Sequence, residues 1–375
     1  MRRDRLALIG GFPDGAICED INLTYQLMAR GFETHWLNER LSIGLSAEGL
    51  PEYITQRTRW CLGTIQVALL RDGPFRGRGY SFMQRLHYFH GMLNWFCKPF
   101  IVLMLIAPSM YWLFGLPAFY SDYLSFLRYG LPALFALWIY SGWVSHQRTL
   151  PLFMEVTHAL TAPAVTMTLL SAMVRPFGRP FKVTDKGGDR SLSTLRFKMA
   201  ATFGGISLLS AGSIVWAMTS PYSASEISSI DLFNLIWAAV AMVLTFVAFL
   251  VCFERPRHIE RFAMDEPTVL AATDGTMRRC HLDGLSMETA AVRVEDSGWL
   301  AQNDDMTILI EKVGVLEARV MERSGDGAIV AFAPPEGKRE ALILKLFSTP
   351  IDHVAAKADL KGAFAALFRR SFRAA

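Results

Sequence analysis

"MLNWFCKPFIVLMLIAPSMYWLFG", residues 92–115, decides what kind of fold this chain can adopt. It carries one full charge, Lys98, and two prolines, Pro99 and Pro108. About 20 consecutive apolar residues in a helix cross the hydrocarbon core of a bilayer. The stretch therefore reads as a membrane span, and it divides the chain. Some ninety residues precede it, further apolar runs follow it, and a polar tail closes the sequence.

Residues 123–146 read as a second span, with Trp and Tyr near its end as interfacial anchors. Residues 199–219 and 231–253 are two more. Residues 151–174 admit two readings. They are apolar enough to cross, yet Glu155, His158 and Pro163 interrupt them, and a helix lying along the bilayer fits as well. Charge chooses between these. The loop 116–130 carries only Arg128, and 220–230 carries no Lys or Arg, whereas 175–198 carries Arg175, Arg179, Lys182, Lys186, Arg190, Arg196 and Lys198. The tail opens with Arg255, Arg257 and Arg261. Basic loops stay on the cytoplasmic side. Four spans put 175–198 and both ends there, and a fifth would separate the ends, so 151–174 is read as interfacial.

Composition agrees. Apolar residues make up 52% of the 375, which suits a membrane protein with soluble parts. A net charge of +4 gives no footprint for a nucleic-acid partner. The cysteines (Cys18, Cys61, Cys97, Cys252, Cys280) have neither metal-ligand spacing nor a disulfide pattern.

Residues 1–90 read as the end of an α/β domain. "GGFPDGA" is a turn-rich loop. "EDINLTYQLMARG" sets Ile21, Tyr25 and Met28 on one helical face and ends at Arg30 and Gly31. "FETHWLNERLSIGLS" looks strand-like. The region is too short for a whole sheet and core, so the domain is expected to begin before residue 1. No signal peptide is present. Residues 91–254 form the membrane region, with a cytoplasmic loop at 175–198. Residues 255–350 alternate in short runs such as "AAVRV", "MTILIEKV", "LEARVME" and "AIVAFA", the pattern of a small β-barrel or sandwich. Residues 351–375 form a basic amphipathic helix that rests on the membrane or on the barrel.

Three short constellations carry chemistry. "CED", residues 18–20, sets two carboxylates at a helix start, where the dipole keeps them ionised as a general base must be. Taken singly it is an ordinary cap. "QRTRW", residues 56–60, brings Gln56, Arg59 and Trp60 onto one helical face. The guanidinium fork suits phosphate, and the indole suits the face of a sugar. Taken singly it is a juxtamembrane anchor. "FKVTDKGG", residues 181–188, offers Phe181 to cover a ring and Thr184 and Lys186 to meet phosphates. Taken singly it is only a basic loop.

In this order, with spans between them, the three resemble the processive family 2 glycosyltransferases of the bacterial cellulose synthase type. "RRDRLALIGGF" looks like the segment before that family's "TED" motif, and the tail looks like its appended PilZ domain. The fold implied is mixed: a partial α/β glycosyltransferase segment, a helical membrane bundle of four spans plus an interfacial helix, and a PilZ-like barrel. The resemblance makes Asp20 the catalytic base. It places Glu19, Gln56 and Arg59 near the donor, and Trp60 beneath the acceptor sugar. It makes Phe181, Val183, Thr184 and Lys186 a gating loop over the nucleotide. It implies UDP-glucose, a growing β-glucan, Mg, membrane lipid, a periplasmic partner subunit and the bacterial inner membrane.

The departures are specific. "TED" reads "CED", with Cys18 in place of Thr. The family's uridine-binding carboxylates and metal-holding DxD are absent, so no metal ligand is assigned and the chain is expected to be inactive alone. For cyclic di-GMP, Arg257 and Arg261 supply the family's RxxxR and Ser286 its serine. Gly284 and Thr289 replace the Asp and Gly of DxSxxG, and Asp283 is one residue out of register. The rival readings are a synthase of another β-glucan such as a β-1,3-glucan, a non-enzymatic membrane receptor for cyclic di-GMP, and a small transporter. Few ionisable residues in the spans speak against the transporter.

Overall fold

A computed structural model of the chain describes residues 2–35, 47, 49–117, 122–180, 194–219, 227–254, 261–294, 297–324, 327–348 and 359–372. Four helices open it: α1 (Arg3–Leu8), α2 (Glu19–Ala29), α3 (Leu50–Leu69) and α4 (Phe82–Phe96). The strand-like reading of 32–46 falls mostly at 36–46, outside the described residues. Ser81 and Gln84 form a reciprocal capping box that starts α4. α5 (Lys98–Phe114) continues α4 almost without a break and ends at Gly115, whose φ of 65° suits a residue lacking Cβ. The combined run has 33 residues, about 50 Å at 1.5 Å per residue. That exceeds a core of about 30 Å, so the polar start of α4, with Gln84, Arg85 and His87, has room to lie outside it.

α6 (Tyr123–Ser125), a π-helical segment (Phe126–Gly130) and α7 (Leu131–Val144) follow as one winding stretch. None of the α7 residues is buried by protein. α8 (Pro151–Val174) is the opposite: Val156, Ala159, Leu160, Ala162, Val165, Leu169 and Ala172 are all buried, and it packs on α3, α4, α5 and α10. β1 (Thr194–Leu195) precedes α9 (Phe197–Thr219), and β2 (Phe253–Glu254) follows α10 (Ser229–Val251). α9 and α10 approach closely through small residues. Gly204 faces the Phe249 ring, and Ala238, Ala241 and Ala248 are buried. Two side-chain bonds tie α10 to α5: Tyr111 Oη donates to Asp231 Oδ1 at 2.6 Å, and Trp237 Nε1 donates to the Met104 carbonyl at 2.9 Å.

Four helical runs among the described residues are long and apolar enough to cross a membrane: Phe82–Phe114, Pro151–Val174, Phe197–Thr219 and Ser229–Val251. The number matches the hydropathy reading, but one member differs. The π segment cuts the predicted span at 123–146 into shorter helices, while Pro163 leaves α8 continuous over 24 residues.

The tail is a closed barrel of β3 (Phe262–Ala272), β4 (Met277–Leu285), β5 (Thr289–Val294), β6 (Asp305–Ile310), β7 (Gly314–Ser324) and β8 (Gly327–Phe332), in the order β3-β4-β5-β8-β7-β6. Alternate residues point inward, as the period of two requires. Leu270, Leu282, Val292, Ile308, Leu316 and Val330 fill the interior. α11 (Ser297–Gln302) adds Leu300, and α12 (Glu336–Ser348) adds Leu342 and Leu346. Lys345 of α12 is buried and pairs with Glu266 at 2.6 Å. α13 (Leu360–Phe372) rests on the membrane bundle rather than the barrel. Its Phe364 meets the Phe153 ring, and Leu367 joins Leu50, Val156 and Leu160.

Glu254 is the joint between these parts. Its carboxylate accepts from the Leu50 N–H at 2.5 Å, at the start of α3, where Gly49 offers no side-chain cap. It also accepts from Arg196 Nε at 2.6 Å, beside the β1–β2 pairing. Replacing Glu254 by Ala should cost roughly 1.5–3 kcal/mol for each charge-assisted bond lost. Amide exchange at 50–53 should quicken when followed in lipid nanodiscs. Unchanged exchange there would mean that α3 does not depend on this carboxylate.

Candidate functional site

α3 organises the site. Pro51 and Glu52 in its first turn favour helix initiation. Its period places Gln56, Arg59, Gly63 and Gln66 along one side. The loop before α2 lies against that side. Gly63 has no Cβ because there is no room for one: an added Cβ would stand 2.3 Å from Cys18 Sγ and 2.8 Å from Cys18 N. The Cys18 thiol donates to the Arg59 carbonyl at 3.8 Å. One turn on, the Ile17 N–H donates to Gln66 Oε1 at 2.8 Å. "CED" and "QRTRW", 41 residues apart between Cys18 and Arg59, are thus brought together.

Glu19 and Asp20 are exposed on the first turn of α2. Asp20 Oδ1 accepts from the Ile21 N–H at 2.7 Å. Cys18 is buried, and burial together with the neighbouring Asp20 carboxylate pushes its thiol up to about 12. It is inert at neutral pH. Burial does the same for Cys61. Gln56, Arg59 and Trp60 are half-buried.

Trp60 stands at a boundary. It packs with Trp95 of α4 and with Val165 and Leu169 of α8. The Arg57 guanidinium lies 4.4 Å from the Trp60 ring and 4.6 Å from the Tyr53 ring. Arg57 and Tyr53 also line a cavity of about 380 Å³ between α3, α4, α5 and α8. Asn94, Trp95, Lys98, Phe153 and His158 share that wall. The Arg57 Nε is buried with no hydrogen-bond partner among the described residues. The motif reading missed Tyr53 and Arg57, although their spacing to Trp60 is i, i+4, i+7. It also missed Gln66.

Phe181, Val183, Thr184, Lys186 and Arg257 lie outside the described residues. In the barrel, Arg261 donates to Thr289 Oγ1 at 3.5 Å, and Ser286 is buried. The Ser286 hydroxyl accepts from the Thr289 N–H at 2.8 Å and lies 2.9 Å from Thr289 Oγ1. Asp283 falls at a bulge in the β4–β5 pairing, between Leu282 and Gly284. It turns instead to Arg293, at 2.7 Å, which holds its carboxyl below the usual range. Among the described residues no three His, Cys, Asp or Glu side chains stand together as metal ligands.

A sequence profile described as "Glycosyl transferase family group 2" matches residues 1–177, the segment that carries both motifs. The similarity to curated proteins continues beyond that segment. The chain is 26% identical over 337 residues to the UDP-forming cellulose synthase catalytic subunit of Pseudomonas fluorescens, covering 87% of this chain and 45% of that protein. It is 29% identical over 349 residues to cellulose synthase 1 of Komagataeibacter xylinus, covering 87% and 22%. The chain thus spans less than half the length of these relatives. Among solved structures, the PilZ domain of CeSA from a cellulose-synthesizing bacterium matches at 20% identity and a TM-score of 0.21, covering 23% of this chain and 94% of that one.

Two outcomes test the geometry of this segment. Gly63→Ala should force α2 away from α3, at a cost of about 1–3 kcal/mol, and should expose Cys18 to alkylation. The second concerns pH. The Cys18 thiol is raised from an ordinary 9.0 to about 12 in the folded chain. Its contribution to stability is therefore complete below pH 9.0 and is lost as pH climbs toward about 12. Alkylation of Cys18, followed by mass spectrometry, should stay slow until pH approaches that upper value. Rapid labelling at pH 9.0 would contradict the close contact.

Proposed function

We propose that the chain is the acceptor-binding and polymer-exporting part of a processive membrane β-glucan synthase of the cellulose synthase type. One observation carries the reading. The helix that carries Trp60 meets the acidic start of α2 through Cys18, and the Arg57 guanidinium that lies on the Trp60 ring lines an aromatic, polar cavity. An acceptor sugar stacked on that indole has a base within reach and a lined path behind it.

Asp20 takes the proton from the acceptor hydroxyl. The freed oxygen attacks the anomeric carbon of UDP-glucose, and the bond to the diphosphate breaks with its electron pair leaving on UDP. Arg59 and Gln56 hold the diphosphate, and Glu19 lines the donor side. Phe181, Val183, Thr184 and Lys186, which follow α8 in sequence, cover the nucleotide. The metal of the family, read as Mg, takes its ligands from outside the residues described. The elongated chain passes Tyr53, Trp95 and Phe153, which offer flat faces, while Arg57, Asn94 and Lys98 offer donors to its hydroxyls. Both ends face the cytoplasm of a bacterial inner membrane, and a periplasmic subunit receives the polymer.

A second reading, reception of cyclic di-GMP by the barrel, is favoured by the meeting of Arg261, Ser286 and Thr289 at one barrel edge. Binding there requires Ser286 to release Thr289. Titration of the chain with cyclic di-GMP tests it, and Arg261→Ala should abolish any binding seen.

For the synthase reading, the chain is assayed together with the family's donor-binding segment. Asp20→Asn should lower glucan synthesis by on the order of a hundredfold or more. Trp60→Ala should leave UDP affinity intact and stop elongation. Arg59→Ala should weaken UDP binding about tenfold or more, the worth of a charge-assisted hydrogen bond. Near-normal synthesis by the Asp20→Asn variant would overturn the assignment.

A further inference from the structure

Gln66 is a polar side chain in the most deeply buried stretch of α3. It is 4% exposed, and Cys61 through Ala68 are buried on either side of it. Both ends of its amide are used. Oε1 accepts from the Ile17 N–H at 2.8 Å, and Nε2 donates to the Pro176 carbonyl at 2.7 Å. The two bonds fix which way the amide points, since the oxygen must face an N–H and the nitrogen a carbonyl. An apolar residue of equal size would pack as well but would leave two partly buried main-chain groups without these partners.

The segment held in this way is the one that presents Asp20. Ile17 is three residues before it, and Cys18 is pressed against Gly63, one turn from Gln66 on the same side of α3. Two adjacent residues, 17 and 18, are therefore gripped by two adjacent turns of the helix that also carries Arg59 and Trp60. Asp20 itself is exposed, and among the described residues its carboxylate is held only locally, by the Ile21 N–H. Packing of its own does not set its distance from Trp60. The grip on 17 and 18 does.

We infer that Gln66 is a positioning residue that fixes the Asp20 carboxylate relative to the acceptor platform by holding the Ile17 N–H. It touches neither substrate nor reacting atoms. The inference rests on the synthase reading for its catalytic consequence, but not for its structural one.

Two variants test it. Gln66→Met keeps the volume and removes both hydrogen bonds. Gln66→Glu keeps the oxygen that accepts from Ile17 and loses the amide donor to Pro176. In the chain in lipid nanodiscs, hydrogen exchange of peptides covering 15–20 should rise in Gln66→Met and stay near the unsubstituted level in Gln66→Glu. In the chain assayed with the donor-binding segment, Gln66→Met should lower kcat by about a hundredfold, the cost of a small misplacement of a reacting group. Its KM for UDP-glucose should not change, and Gln66→Glu should recover most of the rate. Unchanged exchange at 15–20 in Gln66→Met would overturn the inference, and so would equal loss of rate in both variants. If Gln66→Met fails to fold, Gln66→Glu decides alone: retained exchange protection at 15–20 with a retained rate supports the role, and loss of either overturns it. Failure of the synthase reading is separately visible, because Asp20→Asn would then be nearly as active as the unsubstituted protein.

Discussion

The contact between Cys18 and Gly63 is the constraint around which the N-terminal helices are arranged. A helix can meet a loop at this separation only where it lacks a side chain, and α3 lacks one at residue 63. The absence brings the Ile17 N–H and the Cys18 thiol within hydrogen-bonding range of α3. The short side chain at 18 matters too. Threonine, the residue in the resembling motif, would bring a branched β-carbon to a place already filled. The loss of a hydroxyl at this position and the close approach of the two helices are therefore one adjustment. The raised thiol follows from it, since burial excludes the water that would stabilise a thiolate.

α3 is held at both ends by groups distant in sequence. Glu254 caps its first turn from the far side of the membrane region, and Gln66 links its last turns to Pro176 at the end of α8. Such bonds have a consequence for a helix packed among others. Packing alone lets a helix slide or rotate, whereas a buried amide and a partly buried carboxylate bonded on both sides have single orientations. The apolar contacts hold α3 in the bundle, and the polar ones fix its register.

The barrel is built on a different principle. Its interior is apolar and alternates strictly, and its one buried ion pair, among the described residues, joins α12 to β3. Position 283 shows how strand geometry redirects chemistry. A bulge makes Asp283 the extra residue of β4, and its carboxylate finds Arg293 rather than the edge where Arg261 and Ser286 lie. One inserted residue in a period of two is enough to move a side chain to the other face.

Much of the architecture was legible in the sequence, because hydrophobic period reports burial directly. The long apolar runs gave most of the helices long enough to cross a membrane, and the alternation after residue 255 gave the barrel. The motif order brought Asp20, Gln56, Arg59 and Trp60 forward before any coordinates. What local pattern does not contain is the distance between segments. Whether 123–146 remains one helix depends on a π segment, and the burial of α8 depends on the helices around it. Tyr53 and Arg57 belong to no motif and join a cavity wall only because α4, α5 and α8 enclose them. Gln66 and Glu254 likewise belong to no motif. Only the tertiary structure gives them partners 49 and 204 residues away, because a hydrogen bond is decided by approach within about 3 Å and not by sequence neighbourhood.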